Sequence, residues 1–284
     1  MLFSEKVIYL ELPKTACSHI RNLFKHLVGG EFVGKHNRLP YYLMQQDKMI
    51  VGSIRNPWDW YVSMWAFGCD HKGILFERLT SRKLKGNGLL GNHKSIPPHI
   101  FLLFLIENIL KPINHWQRLY SNSKDPDLFR EWLSLILDVD SNRKYCFGDG
   151  YAFSSISSFA GIYTYYYMHL FSYHLFDLFK GDIGDIDRLK SFDLESNILD
   201  EVIKIENLEN DLIRILQKLD FKDTPELRAD IRSFKPPLFK NSNSQSNSSS
   251  RIREVGYYYD EKTRDLVAKR EEFIIKKYNY SPTF

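Results

Sequence analysis

Two short apolar segments, each followed at once by a helical pattern, most restrict what this chain can fold into. Residues 6–12 contain an apolar run and precede a helical pattern over 18–28. Residues 49–54 form a second apolar run, and Pro57 stands where a second helical pattern begins. Two successive strand–loop–helix units predict an α/β fold with a central parallel sheet flanked by helices. In such sheets, ligands bind at the carboxyl ends of the strands.

The rest of the chain is predicted to complete one domain, 1–284, around this sheet. We expect a mostly helical insertion over about 70–197, because amphipathic patterns dominate there. A further strand is predicted over 200–205. Residues 241–250 contain only Asn, Ser and Gln, so we expect a mobile loop over about 233–253. The clearest further helical patterns cover residues 101–109, 128–137, 208–219 and 257–278.

Composition narrows the classes of function. A net charge of +4 and a pI near 8.7 are too mild for a dedicated nucleic-acid binder and fit a protein that holds a small anion. Three cysteines without a CxxC pair predict neither a disulfide framework nor a zinc-finger spacing, which favours a reducing compartment. The longest apolar run, residues 100–106, is too short to span a membrane, and no signal-peptide pattern is visible. We therefore expect a cytoplasmic protein without a membrane span.

The loop after the first strand has the features of a phosphate site. It reads PKTACSH over residues 13–19. A strand-to-helix loop collects free backbone N–H groups, and the helix dipole favours an anion there. Lys14 adds a positive charge. A plain turn with a solvated lysine is the alternative, and the loop lacks both glycines of a Walker A motif.

The loop after the second strand reads RNPWDWYVS over residues 55–63. A Walker-type protein would end this strand with an aspartate for magnesium, whereas this strand is followed by Arg55. Arg55 is placed to bind a second phosphate, and Ser63 follows on the next helix. A salt bridge from Arg55 to Asp59, and a packing role for Ser63, are the alternatives.

Together these two loops resemble the sulfotransferase family, whose members use 3′-phosphoadenosine 5′-phosphosulfate (PAPS). The segment 13–19 is similar to that family's 5′-phosphosulfate loop, commonly PKTGGTS, and 55–63 is similar to its RxPxxxxxS motif for the 3′-phosphate. Glu206-Asn207-Leu208 is similar to a Glu-Asn-Leu segment of the family.

The resemblance implies a P-loop-like sulfotransferase fold and a set of site residues. It implies PAPS as co-substrate, adenosine 3′,5′-bisphosphate as product and no required metal. In the family, a segment near the end of the Ser/Asn loop closes over the nucleotide, so Arg251 or Arg253 would contact the 3′-phosphate; a solvated loop arginine is the alternative. Cys17 stands where the family has Gly, and His19 where it has Ser or Thr. The implied nucleotide-binding residues are Lys14, Thr15, Ala16, Cys17, Ser18, His19, Arg55, Ser63 and Arg251.

The expected chemistry is transfer of a sulfuryl group to a hydroxyl or amine. Lys14 would stabilise the charge that grows on the leaving oxygen. An alcohol acceptor also needs a base. His36, between the two motifs, is the first choice, as the resemblance to carbohydrate sulfotransferases implies, while His19 and Glu11 are alternatives.

The acceptor is expected to be a carbohydrate or another small molecule, with no nucleic-acid partner. A P-loop kinase or hydrolase, and a nucleotide-binding homologue without catalysis, remain alternative functions.

Overall fold

The computed structural model describes residues 1–82, 109, 111–139, 151, 154–174, 177–178, 181–235 and 250–284. They fall into two compact units, each built from separate stretches of chain. The first unit contains residues 1–56, 166–173 and 193–247, and the second contains 57–165, 174–192 and 248–284. Most of the loop predicted over 233–253, and all but residue 109 of the helix predicted over 101–109, lie outside the described residues.

The first unit holds a mixed sheet of five strands in the order β3-β1-β2-β4-β5. β2, β4 and β5 run parallel, with Leu10 opposite Gly52 and Ile54 opposite Lys204. β1 is antiparallel to both β2 and β3. The strands are β1 Leu2–Phe3, β2 Val7–Leu10, β3 Glu31–Phe32, β4 Met49–Ile54 and β5 Glu201–Lys204.

The helices occur throughout the described chain. Short 3₁₀ turns lie at Ser155–Ser158, Ile205–Asn207 and Gly256–Tyr258. The α-helices are α1 Cys17–Val28, α2 Tyr41–Met44, α3 Pro57–Cys69, α4 Ile74–Thr80, α5 Ile113–Leu119, α6 Pro126–Leu137, α7 Ile162–Phe171, α8 Ile186–Ser196, α9 Leu208–Lys218, α10 Pro225–Ser233, α11 Glu261–Arg270 and α12 Glu272–Tyr278. None of these helices has the length and apolar character needed to cross a membrane.

The apolar faces of α1 and α9 form the main core of the first unit with one face of the sheet. That core includes Val7 and Tyr9 of β2 and Val51 of β4. Burying such side chains stabilises the fold by roughly 1.5–3 kcal/mol each. On the other sheet face, a Cβ on Gly52 would stand 3.1 Å from the ring of Phe171, so helical residues cover this face too. The two strands that lead into the predicted loops, β2 and β4, are therefore packed into this core.

In the second unit, several large aromatic side chains are fully buried in the core. Trp60 stacks on Tyr163 with ring centroids 4.5 Å apart. The carboxylate of Glu271 is fully buried and accepts hydrogen bonds from the Tyr61 hydroxyl and the Thr164 backbone N–H. An anion at the first turn of α7 is favoured by the helix dipole.

Two predictions about the fold need correction. The sheet is parallel only in its β2, β4 and β5 part, because the two-residue strands β1 and β3 add antiparallel pairing that leaves no periodic signal. The predicted single helix over 257–278 is two helices. Asp260 forms a capping box that starts α11, and Glu271 separates α11 from α12.

Candidate functional site

The two predicted loops follow neighbouring parallel strands, so they lie at the same edge of the sheet. β2 leads into the Lys14 loop and β4 leads into Arg55. Arg55 donates a hydrogen bond from Nη1 to the backbone carbonyl oxygen of Lys14, at 3.1 Å. Both side chains are partly exposed. The structure thus brings together two positively charged residues that the sequence separates by forty positions.

β5 contributes a third strand end to this edge. Glu206 follows β5 in a 3₁₀ turn, and its Oε1 accepts a hydrogen bond from the Asn56 backbone N–H at 2.6 Å. This contact holds the backbone directly after Arg55. Sequence reasoning noted Glu206 only as part of a family-like segment; its position after a predicted strand was the available structural signal.

The Lys14 loop has a backbone that few residues other than glycine adopt. Lys14 has φ 65° and Ala16 has φ 54°, both in the left-handed region. Ala16 is the N-cap of α1 and offers no side-chain acceptor, and α1 has no acidic residue in its first turn. The His19 N–H donates to the carbonyl oxygen of Ala16 at 2.9 Å, so the N–H groups of Cys17 and Ser18 are the first-turn donors that an anion could accept from. Alternating left-handed backbone before a helix N-terminus forms an anion-binding concavity.

A series of buried hydrogen bonds between hydroxyl groups connects this loop to β2 and β4. The Thr15 hydroxyl donates to the carbonyl oxygen of Leu12 at 2.8 Å, and it lies 2.7 Å from Ser53 Oγ. Because the single Thr15 hydroxyl proton is used, Ser53 must donate to Thr15. Tyr9 must then donate to Ser53, over 2.6 Å. The Thr15 hydroxyl is thus used in hydrogen bonds within the fold. Thr15 could therefore bind a phosphate only through its backbone N–H.

The side chains of Cys17, Ser18 and His19 also differ in whether the fold leaves them accessible to a ligand. Cys17 is 6% exposed and belongs to the core, so its backbone N–H is its available donor. Ser18 is partly exposed. The His19 ring packs edge-on against Phe234 at 5.7 Å, and burial lowers the pKa of His19.

His36 lies beside the strand that leads into the loop. Its Nδ1 is 2.9 Å from the backbone carbonyl oxygen of Glu11. A carbonyl only accepts, so Nδ1 carries the proton and Nε2 carries the lone pair. Burial, as the largest cause, lowers the pKa of His36 to about 4. The imidazole is therefore neutral at pH 7.

Glu11, Cys17 and His36 form the cluster of possible metal ligands within the described residues. Each offers one ligand atom, and these atoms lie within 4.8 Å of one another. Burial is the largest cause that raises the pKa of the Cys17 thiol.

Ser63 and Arg251 belong to the second unit. Ser63 is buried in α3. Arg251 forms an ion pair with Asp59, with Nη2 2.7 Å from Oδ1, and its side chain is 7% exposed. Asp59 was expected as an alternative partner of Arg55, and its pairing with Arg251 was not foreseen. The 3′-phosphate roles of Ser63 and Arg251 stay predictions.

Comparisons with models of protein families, with curated proteins and with solved structures found no match. This edge of the sheet offers the N–H groups of the first turn of α1, a lysine, and an arginine bonded to the lysine's carbonyl oxygen. That set suits an anion with several oxygens.

Proposed function

We propose that this chain is a sulfotransferase that moves a sulfuryl group from PAPS to a hydroxyl group, with a carbohydrate as the expected acceptor. The observation that carries the proposal is the bond from Arg55 to the Lys14 carbonyl. It joins, at one sheet edge, the two loops that resemble the family's 5′-phosphosulfate and 3′-phosphate motifs. The proposal includes the family's P-loop-like fold, of which the three parallel strands and α1 would be the nucleotide-binding part.

The loop backbone supports a role in holding the 5′-phosphosulfate. The N–H groups at the start of α1 and the ammonium group of Lys14 would bind the phosphate and sulfate oxygens. Ala16 is exposed, so no bulky side chain stands over this part of the loop.

The transfer itself exchanges one bond at sulfur. The acceptor oxygen forms a bond to sulfur while the bond from sulfur to the bridging phosphate oxygen breaks. Lys14 stabilises the negative charge on that leaving oxygen. The acceptor proton passes to Nε2 of His36, the unprotonated nitrogen of its imidazole. With a pKa of about 4, His36 is a weak base. Stabilisation of the charge on the leaving oxygen therefore contributes more to lowering the activation barrier than proton transfer does.

A nucleotide-binding protein without turnover is the second candidate. The low pKa of His36 and the buried Cys17 side chain favour it, because both reduce what the loop offers to catalysis. This candidate would bind the same nucleotide at the same loop.

Isothermal titration tests the nucleotide. We expect tight binding of adenosine 3′,5′-bisphosphate without magnesium and weaker binding of ATP. Lys14→Ala should weaken that binding at least about tenfold, the loss of a charge-assisted contact. Lys6→Ala is the matched control, because Lys6 is an exposed lysine before β2, at the other end of the same strand. Tighter, magnesium-dependent ATP binding would instead indicate a kinase or hydrolase.

Transfer of labelled sulfate from PAPS to a panel of glycans, phenols and lipids tests turnover. The sulfotransferase proposal expects a labelled product that is lost with Lys14→Ala. Binding of adenosine 3′,5′-bisphosphate with no transfer to any acceptor would favour the binding protein.

A further inference from the structure

Three side chains that the sequence spreads over 26 positions, from 11 to 36, converge beside the phosphate-like loop. Glu11 follows β2, Cys17 opens α1 and His36 lies in the loop after β3. One ligand atom from each lies within 4.8 Å of the others. In a tetrahedral zinc site, ligand atoms about 2.0–2.3 Å from the ion stand roughly 3.3–3.8 Å apart. A contraction of about 1 Å would bring the three atoms onto one ion.

The carboxylate of Glu11 has one oxygen that the protein leaves unsatisfied. Glu11 is fully buried, and its Oε1 contacts Arg21 Nη1 at 3.2 Å and the Met1 ammonium group at 2.9 Å. Its Oε2 has no hydrogen-bond partner in the part of the chain that the structure describes. A buried carboxylate oxygen without a donor is costly, and a bound cation removes that cost.

The types of ligand select the metal. A thiolate, an imidazole and one carboxylate are the ligands that zinc prefers, whereas magnesium and calcium prefer oxygen alone. His36 donates Nδ1–H to the Glu11 carbonyl, the kind of contact that orients metal-binding histidines.

We propose that Glu11, Cys17 and His36 bind a zinc ion, with three protein ligands and a fourth position open to water. The site needs no nucleotide and goes beyond the proposed sulfuryl transfer. Zinc and the acceptor proton compete for the lone pair of His36 Nε2, so a bound ion would inhibit that transfer and take no part in it. The Cys17 thiol loses its proton to the solvent when its sulfur binds zinc, so one proton is released per ion. The Cys17 thiolate adds one negative charge that offsets half the charge of the ion, while the charge of Glu11 is shared between the ion, Arg21 and the Met1 ammonium group. Arg21 and the Met1 ammonium group remain on the other carboxylate oxygen.

Titration of the untagged full chain with Co²⁺, followed by displacement with Zn²⁺, tests the site. We expect one equivalent of Co²⁺ to produce a thiolate-to-cobalt charge-transfer band and the intense visible bands of tetrahedral cobalt. One equivalent of Zn²⁺ should abolish both. Cys17→Ser should remove the charge-transfer band, and Glu11→Gln should weaken Zn²⁺ binding at least about tenfold while the band persists.

Cys69→Ser is the matched control, because Cys69 is the other free cysteine of the described chain. It should leave the cobalt spectrum and the zinc affinity unchanged. Circular dichroism checks that Cys17→Ser and Glu11→Gln remain folded. If a folded Cys17→Ser protein keeps the band, or if the unmodified chain binds no stoichiometric metal, the proposal is overturned. Neither result bears on binding of adenosine 3′,5′-bisphosphate.

Discussion

Arg55 donates a hydrogen bond from Nη1 to the backbone carbonyl oxygen of Lys14 at 3.1 Å. The contact spans two loops that follow adjacent parallel strands, β2 and β4. Glu206, after the next strand, holds the Asn56 N–H, so all three strand ends are connected by hydrogen bonds. The position of the Lys14 loop thus depends on groups far from it in the sequence.

Arg55→Ala is expected to weaken binding of adenosine 3′,5′-bisphosphate about 10- to 100-fold, because it removes a cation and releases the Lys14 carbonyl. Arg55→Lys should recover only part of this, since an ammonium group lacks the planar fork of a guanidinium. Isothermal titration measures both. Arg232→Ala, which removes an arginine with a 66% exposed side chain on α10, should leave the affinity unchanged. Equal affinities for Arg55→Ala and the unmodified protein would contradict the role of Arg55.

Ser53→Ala is expected to lower the free energy of unfolding by about 1–3 kcal/mol. The Tyr9 hydroxyl and the Thr15 oxygen, both buried, would each lose a partner. Urea denaturation measures the change. The double variant with Tyr9→Phe should cost less than the sum of the single variants, because Tyr9 and Ser53 act in one chain of bonds. Ser81→Ala, an exposed hydroxyl that donates to a helix carbonyl, should change little. Additive losses of unfolding free energy would show that the hydrogen bonds of Tyr9 and Ser53 are not coupled.

Ala16→Gly is expected to raise the free energy of unfolding by up to about 1 kcal/mol. The left-handed φ of 54° at Ala16 is unfavourable for alanine and free for glycine, which offsets the greater flexibility of unfolded glycine. Ala268→Gly in α11 is the matched control and should lower stability by roughly 0.5–1 kcal/mol. Urea midpoints that shift in the same direction for both would contradict the left-handed geometry.

His36 is expected to make stability depend on pH between about 4 and 6.5. Its pKa is about 4 in the folded protein and near the ordinary 6.5 when unfolded, so the unfolded chain binds more protons in that window. The free energy of unfolding should therefore fall by up to about 3 kcal/mol as pH drops from 6.5 to 4, and His36 should add no slope above that.

Urea denaturation at several pH values, with a chelator present, measures this slope. His36→Asn should flatten it, since asparagine tolerates the φ of 56° and does not titrate. His26→Gln, at an exposed histidine, serves as the control. An unchanged slope in His36→Asn would show that this histidine is not the buried neutral group.

Glu271→Gln is expected to destabilise the protein by about 2–4 kcal/mol. One carboxylate oxygen accepts from both the backbone N–H and the hydroxyl of Thr164, and an amide nitrogen there would face two donors. Glu272→Gln, next in the chain and exposed, should cost under about 1 kcal/mol. Thermal unfolding compares the two. A similar cost for both variants would mean that the buried carboxylate contributes little.

The local patterns of the sequence predicted the elements around the site well. β4 has the predicted bounds, Met49–Ile54, and α1 begins at Cys17 rather than at Ser18. Gly29, directly after the predicted helix over 18–28, is the C-cap of α1 with a left-handed φ of 73°. These elements were predictable because periodic apolar residues and glycine act within one segment of chain.

Contacts between distant segments were not predictable from such patterns. Glu271 lies within the amphipathic pattern over 257–278, and its burial depends on donors more than a hundred residues away. Gly161 lies so close to this carboxylate that a Cβ would stand 1.9 Å from Oε1. No periodicity encodes a single close approach of this kind.

The sequence alone determined that a lysine-bearing loop and an arginine would follow two parallel strands, since strand order and apolar periodicity are local properties. Only the tertiary structure decided which groups of those loops remain available to bind a ligand. It committed the Thr15 hydroxyl to Leu12, buried the Cys17 side chain, and turned His36 towards the Glu11 carbonyl. The physical reason is that a buried polar group without a partner is costly, and packing between distant segments decides which partners are within its reach.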